Sequence, residues 1–196
     1  MTVSLYRHRI NTVAELESVP THYGIEFDLR SDGDDVIVTH DPYTDGPPIE
    51  AFFPHIGRRP CIFNVKCEGI EPRVLALASQ YGIDDFFFLD CSVPAAVKLW
   101  RAGERRIAVR WSEYEPVEGV LAWADKASWC WVDCFHNYPG NDAEWARVAA
   151  AFRICLVSPE LQGHGVEAIA RFRDGLGGRS YHAVCSKRPE LWSEGM

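Results

Sequence analysis

The stretch Gly24-Ile25-Glu26-Phe27-Asp28-Leu29-Arg30 decides how this chain reads. It is apolar enough for a strand covered on both faces, yet two carboxylates stand inside it, two positions apart. On a strand such residues share a face and lie about 7 Å apart along it. Two inward carboxylates at that spacing repel one another unless a cation sits between them. Oxygen ligands of this kind suit Mg²⁺ or Ca²⁺ better than zinc.

Seven more apolar runs resemble this one, so that strands are predicted at 3–9, 24–30, 61–67, 86–91, 106–111, 129–135, 154–158 and 181–185. Amphipathic stretches at 12–19, 71–80, 94–102, 117–124, 142–152 and 166–173 supply the helices between them. Thr12 with Glu15, and Asn141 with Glu144, have the spacing of capping boxes, while Gly82 and Gly103 stand where a helix needs a left-handed terminal residue. Continuous apolar strands alternating with helices predict an α/β fold with a parallel sheet, either a closed barrel or an open doubly wound sheet.

The 196 residues are 47% hydrophobic and 24% charged, which predicts a single globular domain over 1–196. A formal charge of -8 argues against nucleic-acid binding, which calls for a basic face. A small phosphate ester is not excluded, because a metal ion and a few local cations can reverse the field in one pocket. No run is long enough for a transmembrane segment, and the opening MTVSLYRHRI carries charges where a signal peptide is apolar. The seven cysteines lie mostly in apolar runs and include no CxxC spacing. They read as buried thiols in a reducing compartment, and the expected location is cytoplasmic. Oligomeric state is not legible.

Chemistry concentrates at strand ends. His8-Arg9 closes the first run, Glu26 and Asp28 lie in the second, and His40-Asp41 follows a Ser-Asp-Gly-Asp-Asp turn. In the run 61–67 an amide and an ammonium, Asn64 and Lys66, intrude on one face. An amide oxygen can complete a hard-metal site, and a lysine can meet a phosphate oxygen as a point charge. In a parallel barrel the C-terminal strand ends form the active-site face, so these segments would converge.

These motifs, in this order, resemble the glycerophosphodiester phosphodiesterases and the wider phospholipase-C-like phosphodiesterase superfamily, whose hallmark runs His-Arg, Glu-x-Asp, His-Asp, Glu-x-Lys. The matching positions are His8-Arg9, Glu26-Phe27-Asp28, His40-Asp41 and Asn64-Val65-Lys66. The resemblance is strong over residues 7–41 and 61–67 and fainter towards Ser186-Lys187-Arg188-Pro189-Glu190. It implies a compact TIM-type (β/α)8 barrel with minimal loops. It further implies that His8 and His40 act as general acid and base, and that Arg9 and Lys66 bind the substrate phosphate. One divalent cation, Mg²⁺ or Ca²⁺, would be held by Glu26, Asp28 and Asn64.

Three departures from the family pattern stand out. Asn64 occupies the place of a carboxylate, which lowers the charge of the metal cage by one. The stretch between His40 and the third strand is too short for the usual insertion. Asn11 and Thr12 remain from a longer loop, to bond near the phosphate or to cap the helix.

Further along, Arg110, Glu113 and Tyr114 crowd the end of the fifth strand, and Asp133 interrupts the sixth. These four form a possible substrate pocket for the alcohol moiety, with an ordinary loop as the alternative. Asp133 is expected to pair with a cation or to face the pocket, since a lone buried charge is costly. The leading functional reading is cleavage of a small-molecule phosphodiester. A lyase-type relative forming a cyclic phosphate and a non-catalytic barrel binding a phosphorylated metabolite are the alternatives.

Overall fold

The computed structural model describes residues 3–193. Eight parallel strands alternate with helices along the described chain in the compact TIM-type (β/α)8 barrel fold that the motifs implied. The described residues fall into two units, one spanning Arg7–Glu104 and the other formed by residues 3–6 together with 105–193.

β1 (Ser4–Arg7) leads to α1 (Val13–Ser18), whose cap is the predicted box: Thr12 accepts from the Glu15 backbone and Glu15 answers at the Thr12 backbone. The first unit then runs through β2 (Gly24–Asp32), β3 (Asp35–Val38), α2 (Ile49–Phe52), β4 (Cys61–Val65), α3 (Glu71–Gln80), β5 (Phe86–Leu89) and α4 (Val93–Arg101). β4 lies between β2 and β5, both parallel to it. β3 folds back antiparallel on β2 through a turn in which Gly33 takes a positive φ of 59°. This hairpin was not among the eight predicted strands, because four residues carry too little periodicity to stand out beside a turn.

Register assigns the faces. Phe27 pairs with Phe63 and Phe63 with Phe88, so these three share a face with Ile25 and Leu29. Phe52 and Phe53 pack there, with ring centroids 4.8 Å apart for Phe27–Phe52 and 5.7 Å for Phe53–Phe63. Glu26, Asp28 and Asn64 alternate onto the opposite face.

The second unit comprises β6 (Ala108–Trp111), α5 (Val117–Leu121), β7 (Trp129–Val132), α6 (Asp142–Ala151), β8 (Arg153–Val157), α7 (Ala168–Gly175), β9 (Ala183–Ser186) and α8 (Glu190–Ser193). β6 to β9 pair in parallel in chain order, and the Ser4 N–H donates to the His182 carbonyl just before β9. The Asn141–Glu144 box caps α6 as predicted, and Gly82 and Gly103 both take positive φ after their helices. Five of the seven cysteines are buried, Cys67 and Cys91 are half-buried, and all seven are free thiols. No helix among the described residues is long and apolar enough to cross a membrane.

Candidate active site

The site residues between His8 and Asp90 all belong to the Arg7–Glu104 unit. Parallel register sets Asp28 beside Asn64 and Glu26 beside Ile62, so both acids and the amide come to one face, and all three are buried. The chain leaving β1 is tied to β2 at two points. The Ile10 N–H donates to the Glu26 carbonyl (2.8 Å), and Asn11 clasps Asp28 reciprocally, its Nδ2 donating to Oδ2 (2.9 Å) and its Oδ1 accepting from the Asp28 N–H (3.0 Å). Between them Arg9 adopts φ 55°, a left-handed conformation costing a non-glycine residue about 1 kcal/mol or more. That turn aims the Arg9 N–H at Glu26 Oε2, 2.6 Å away.

The segments after β3 and β4 are fastened by one guanidinium. Arg30 donates through Nε to the His40 carbonyl (2.9 Å) and through Nη1 to the Lys66 carbonyl (3.1 Å). The Thr39 N–H meets the Asp28 carbonyl and the Lys66 N–H meets that of Leu29, which brings His40 and Lys66 to the end of β2 where Asp28 lies. His40 Nδ1 pairs with Asp41 Oδ1 at 2.6 Å, fixing the ring, and this hydrogen bond is the main reason the Asp41 carboxyl is held below its ordinary range.

Glu26 is the electrostatic centre. Burial, and then the neighbouring Asp28 charge, push its pKa up to about 7, against the opposing pull of the Asn64 amide, the Arg9 N–H and Lys66. Asn64 Nδ2 donates to Glu26 Oε1 (2.8 Å), and His8 Nε2 lies 3.6 Å from Oε2. Lys66 Nζ stands 3.5 Å from Asp28 Oδ1 and 3.1 Å from Asp90 Oδ2, while Arg9 Nε is 3.9 Å from Asp28 Oδ2.

Among the described residues no three His, Cys, Asp or Glu side chains cluster as a metal site, so any cation here would rest on two carboxylates and an amide. Asn64 Oδ1 is buried without a hydrogen-bond partner. Such an atom is expensive to leave unsatisfied, and an amide oxygen is a donor that a hard cation takes, the Asn64 Nδ2 being the end turned to Glu26. The residues present therefore fit one divalent ion held by Glu26, Asp28 and Asn64.

The structure places the remaining sequence-predicted residues in the second unit. Arg110 pairs with Asp133, which also accepts from Gln162 Nε2 (2.6 Å), so the buried acid has the cation partner expected of it. Burial works against the Glu113 charge, but the backbone N–H groups of Asn137, His136 and Phe135 outweigh it and hold the carboxyl below its usual range. Glu113 thus braces the loop after β7. Tyr114 is exposed, its ring 5.5 Å from that of Phe135.

Three contributors have roles that the sequence did not assign them, although Asn11 and Asp41 stand in the motifs named above. Asn11 clasps Asp28 while Thr12 does the capping. Asp41 orients His40, and adjacency in the His-Asp pair was a usable signal. Asp90 reaches Lys66 from the end of β5, where an acid closing an apolar strand was the only hint.

No family model matches the sequence, and no curated protein matches it. Solved structures do match. A glycerophosphodiester phosphodiesterase from Agrobacterium tumefaciens aligns with 98% of this chain and 100% of its own at TM-score 0.68 and 17% identity. A glycerophosphoryl diester phosphodiesterase from Parabacteroides distasonis aligns with 98% and 85% at TM-score 0.66 and 12% identity. A tryptophan synthase structure from Pyrococcus furiosus also aligns, over 98% and 90%, at TM-score 0.57 and 14% identity. Because this fold carries unrelated chemistries, the fold and the residues must be read together: the chain is similar in fold to glycerophosphodiester phosphodiesterases.

Proposed function

We propose that the protein is a metal-dependent phosphodiesterase that cleaves a glycerophosphodiester or a related small phosphodiester in the cytoplasm. The observation that carries this reading is the buried Glu26–Asp28 pair with the Asn64 amide on Glu26 and its oxygen partnerless, bordered by Arg9, Lys66 and His8, with His40 at the same end of β2. Mg²⁺ or Ca²⁺, held by Glu26, Asp28 and Asn64, would supply Lewis-acid stabilisation of charge on the non-bridging oxygens.

Arg9 and Lys66 bind the phosphate and offset the charge that grows on it, the larger part of phosphoryl-transfer catalysis. His8 and His40 form the acid–base pair: one imidazole takes the proton from the attacking hydroxyl, and the other gives a proton to the alcohol oxygen as its bond to phosphorus breaks. The hydrogen bond from His40 Nδ1 to Asp41 leaves Nε2 for this exchange. Attack by water yields a phosphomonoester and an alcohol, and attack by a neighbouring substrate hydroxyl yields a cyclic phosphate and the same alcohol. Phosphorus NMR of glycerophosphocholine, glycerophosphoethanolamine and an aryl phosphodiester incubated with the protein separates these products. Unchanged turnover after both His8→Ala and His40→Ala would remove the acid–base pair from the account.

A further inference from the structure

Lys66 is held at more points than a phosphate-binding lysine needs. Its N–H donates to Leu29, its carbonyl accepts from Arg30, and its Nζ lies between two carboxylates. The distances to those carboxylates are unequal: 3.1 Å to Asp90 Oδ2 is a hydrogen bond, whereas 3.5 Å to Asp28 Oδ1 is a looser ion pair. Asp90 sits just past β5, beyond the Asn64–Leu89 register pair, with φ 62°. A left-handed aspartate is an unusual way to end a strand, and its carboxylate meets this lysine. Its placement is better explained by what it does to the lysine.

We propose that Asp90 is a positioning residue for Lys66. By taking the stronger hydrogen bond it keeps the ammonium from closing on Asp28 Oδ1, so that the positive charge stays presented to a phosphate and that oxygen stays open to a cation. This rests on the phosphodiesterase reading above. Without Asp90, the nearest anion to the flexible Lys66 chain is Asp28, and the ammonium moves onto it. The two charges then satisfy each other, and the substrate phosphate loses a partner.

Asp90→Gly and Asp90→Asn both suit a left-handed backbone, so they remove the carboxylate without straining the turn. The test combines crystal structures of both variants with steady-state kinetics on glycerophosphocholine and the two other phosphodiesters, and with thermal melts. In Asp90→Gly, Lys66 Nζ is expected within hydrogen-bond distance of Asp28, KM is expected to rise roughly tenfold with kcat changed less, and the melting temperature should hold. Asp90→Asn, which can still accept a weaker bond, should fall between Asp90→Gly and wild type. An unmoved Lys66 in Asp90→Gly overturns the proposal, as does a moved Lys66 with wild-type KM. So does a lowered melting temperature with unaltered kinetics, which would make Asp90 structural. If wild-type protein cleaves none of the three esters, the phosphodiesterase reading falls, while the lysine position in Asp90→Gly still decides what Asp90 holds.

Discussion

The strand ends of Arg7–Glu104 and those of residues 105–193 both carry buried acids, and they treat them in opposite ways. In the second region each acid is answered. The buried Asp133 has Arg110 and Gln162, and at less buried positions Glu160 accepts from Ser186 Oγ and the Lys187 N–H while the exposed Glu113 collects three backbone N–H groups. In the first, Glu26 and Asp28 are buried beside one another, burial and the Asp28 charge outweigh the partners of Glu26 and raise it to about 7, and a buried amide oxygen has no partner. Satisfied acids build a scaffold, and a costly arrangement left uncompensated marks where a ligand supplies the balance.

The contrast can be broken most sharply by activity. His8→Ala and His40→Ala should each lower kcat/KM for a cleaved phosphodiester by about 10²–10⁴-fold, measured under identical metal concentrations. Asp133→Ala should leave kcat/KM near wild type, since its partners are structural, but should cost about 1–3 kcal/mol in urea melts by stranding Gln162 and the half-exposed Arg110. Equal activity losses in the two regions would erase the distinction.

Stability should respond in the reverse sense at Glu26. Its folded pKa is raised, so its contribution is intact below the ordinary value near 4.5 and is lost as pH rises through about 7. With chelator present, Glu26→Gln should therefore be more stable than wild type by about 1–2 kcal/mol at pH 8, with the gap closing towards pH 5. Melts of the two proteins across that range check it. A gap that widens on acidification would contradict the assignment of strain to this carboxylate. The smallest effect is expected at Tyr114→Ala, under about 0.5 kcal/mol for an exposed ring. A change of KM accompanying it would instead assign this aromatic to the substrate alcohol.

The legible parts of the chain were those governed by local rules. Capping boxes, glycine helix ends and apolar runs depend on neighbours in sequence, and all eight runs hold parallel strands whose bounds differ from the expected ones by at most three residues, β2, β8 and β9 each extending past its run at one end. The 129–135 run ends as a strand at Val132, although the Asp133 N–H still donates to the Trp111 carbonyl while its side chain meets Arg110 and Gln162. The motif residues from His8 to Lys66 were legible too, because their order along successive strands is itself the signal. Asn11 and Asp90 were not: their roles arise from register between strands 17 and 24 residues apart, and no spacing rule encodes that. Sequence set Glu26, paired with Asp28 in one run, apart from the lone Asp133, but left open whether Asp133 would meet a cation or face a pocket.

The most direct test is phosphorus NMR of glycerophosphocholine, glycerophosphoethanolamine and an aryl phosphodiester with wild-type protein and Glu26→Ala, each with Mg²⁺, Ca²⁺ or chelator. The account predicts cleavage by wild type that requires the divalent ion and is lost in Glu26→Ala. Cleavage that persists in Glu26→Ala, or that is indifferent to chelator, would contradict a catalytic centre built on the buried carboxylate pair.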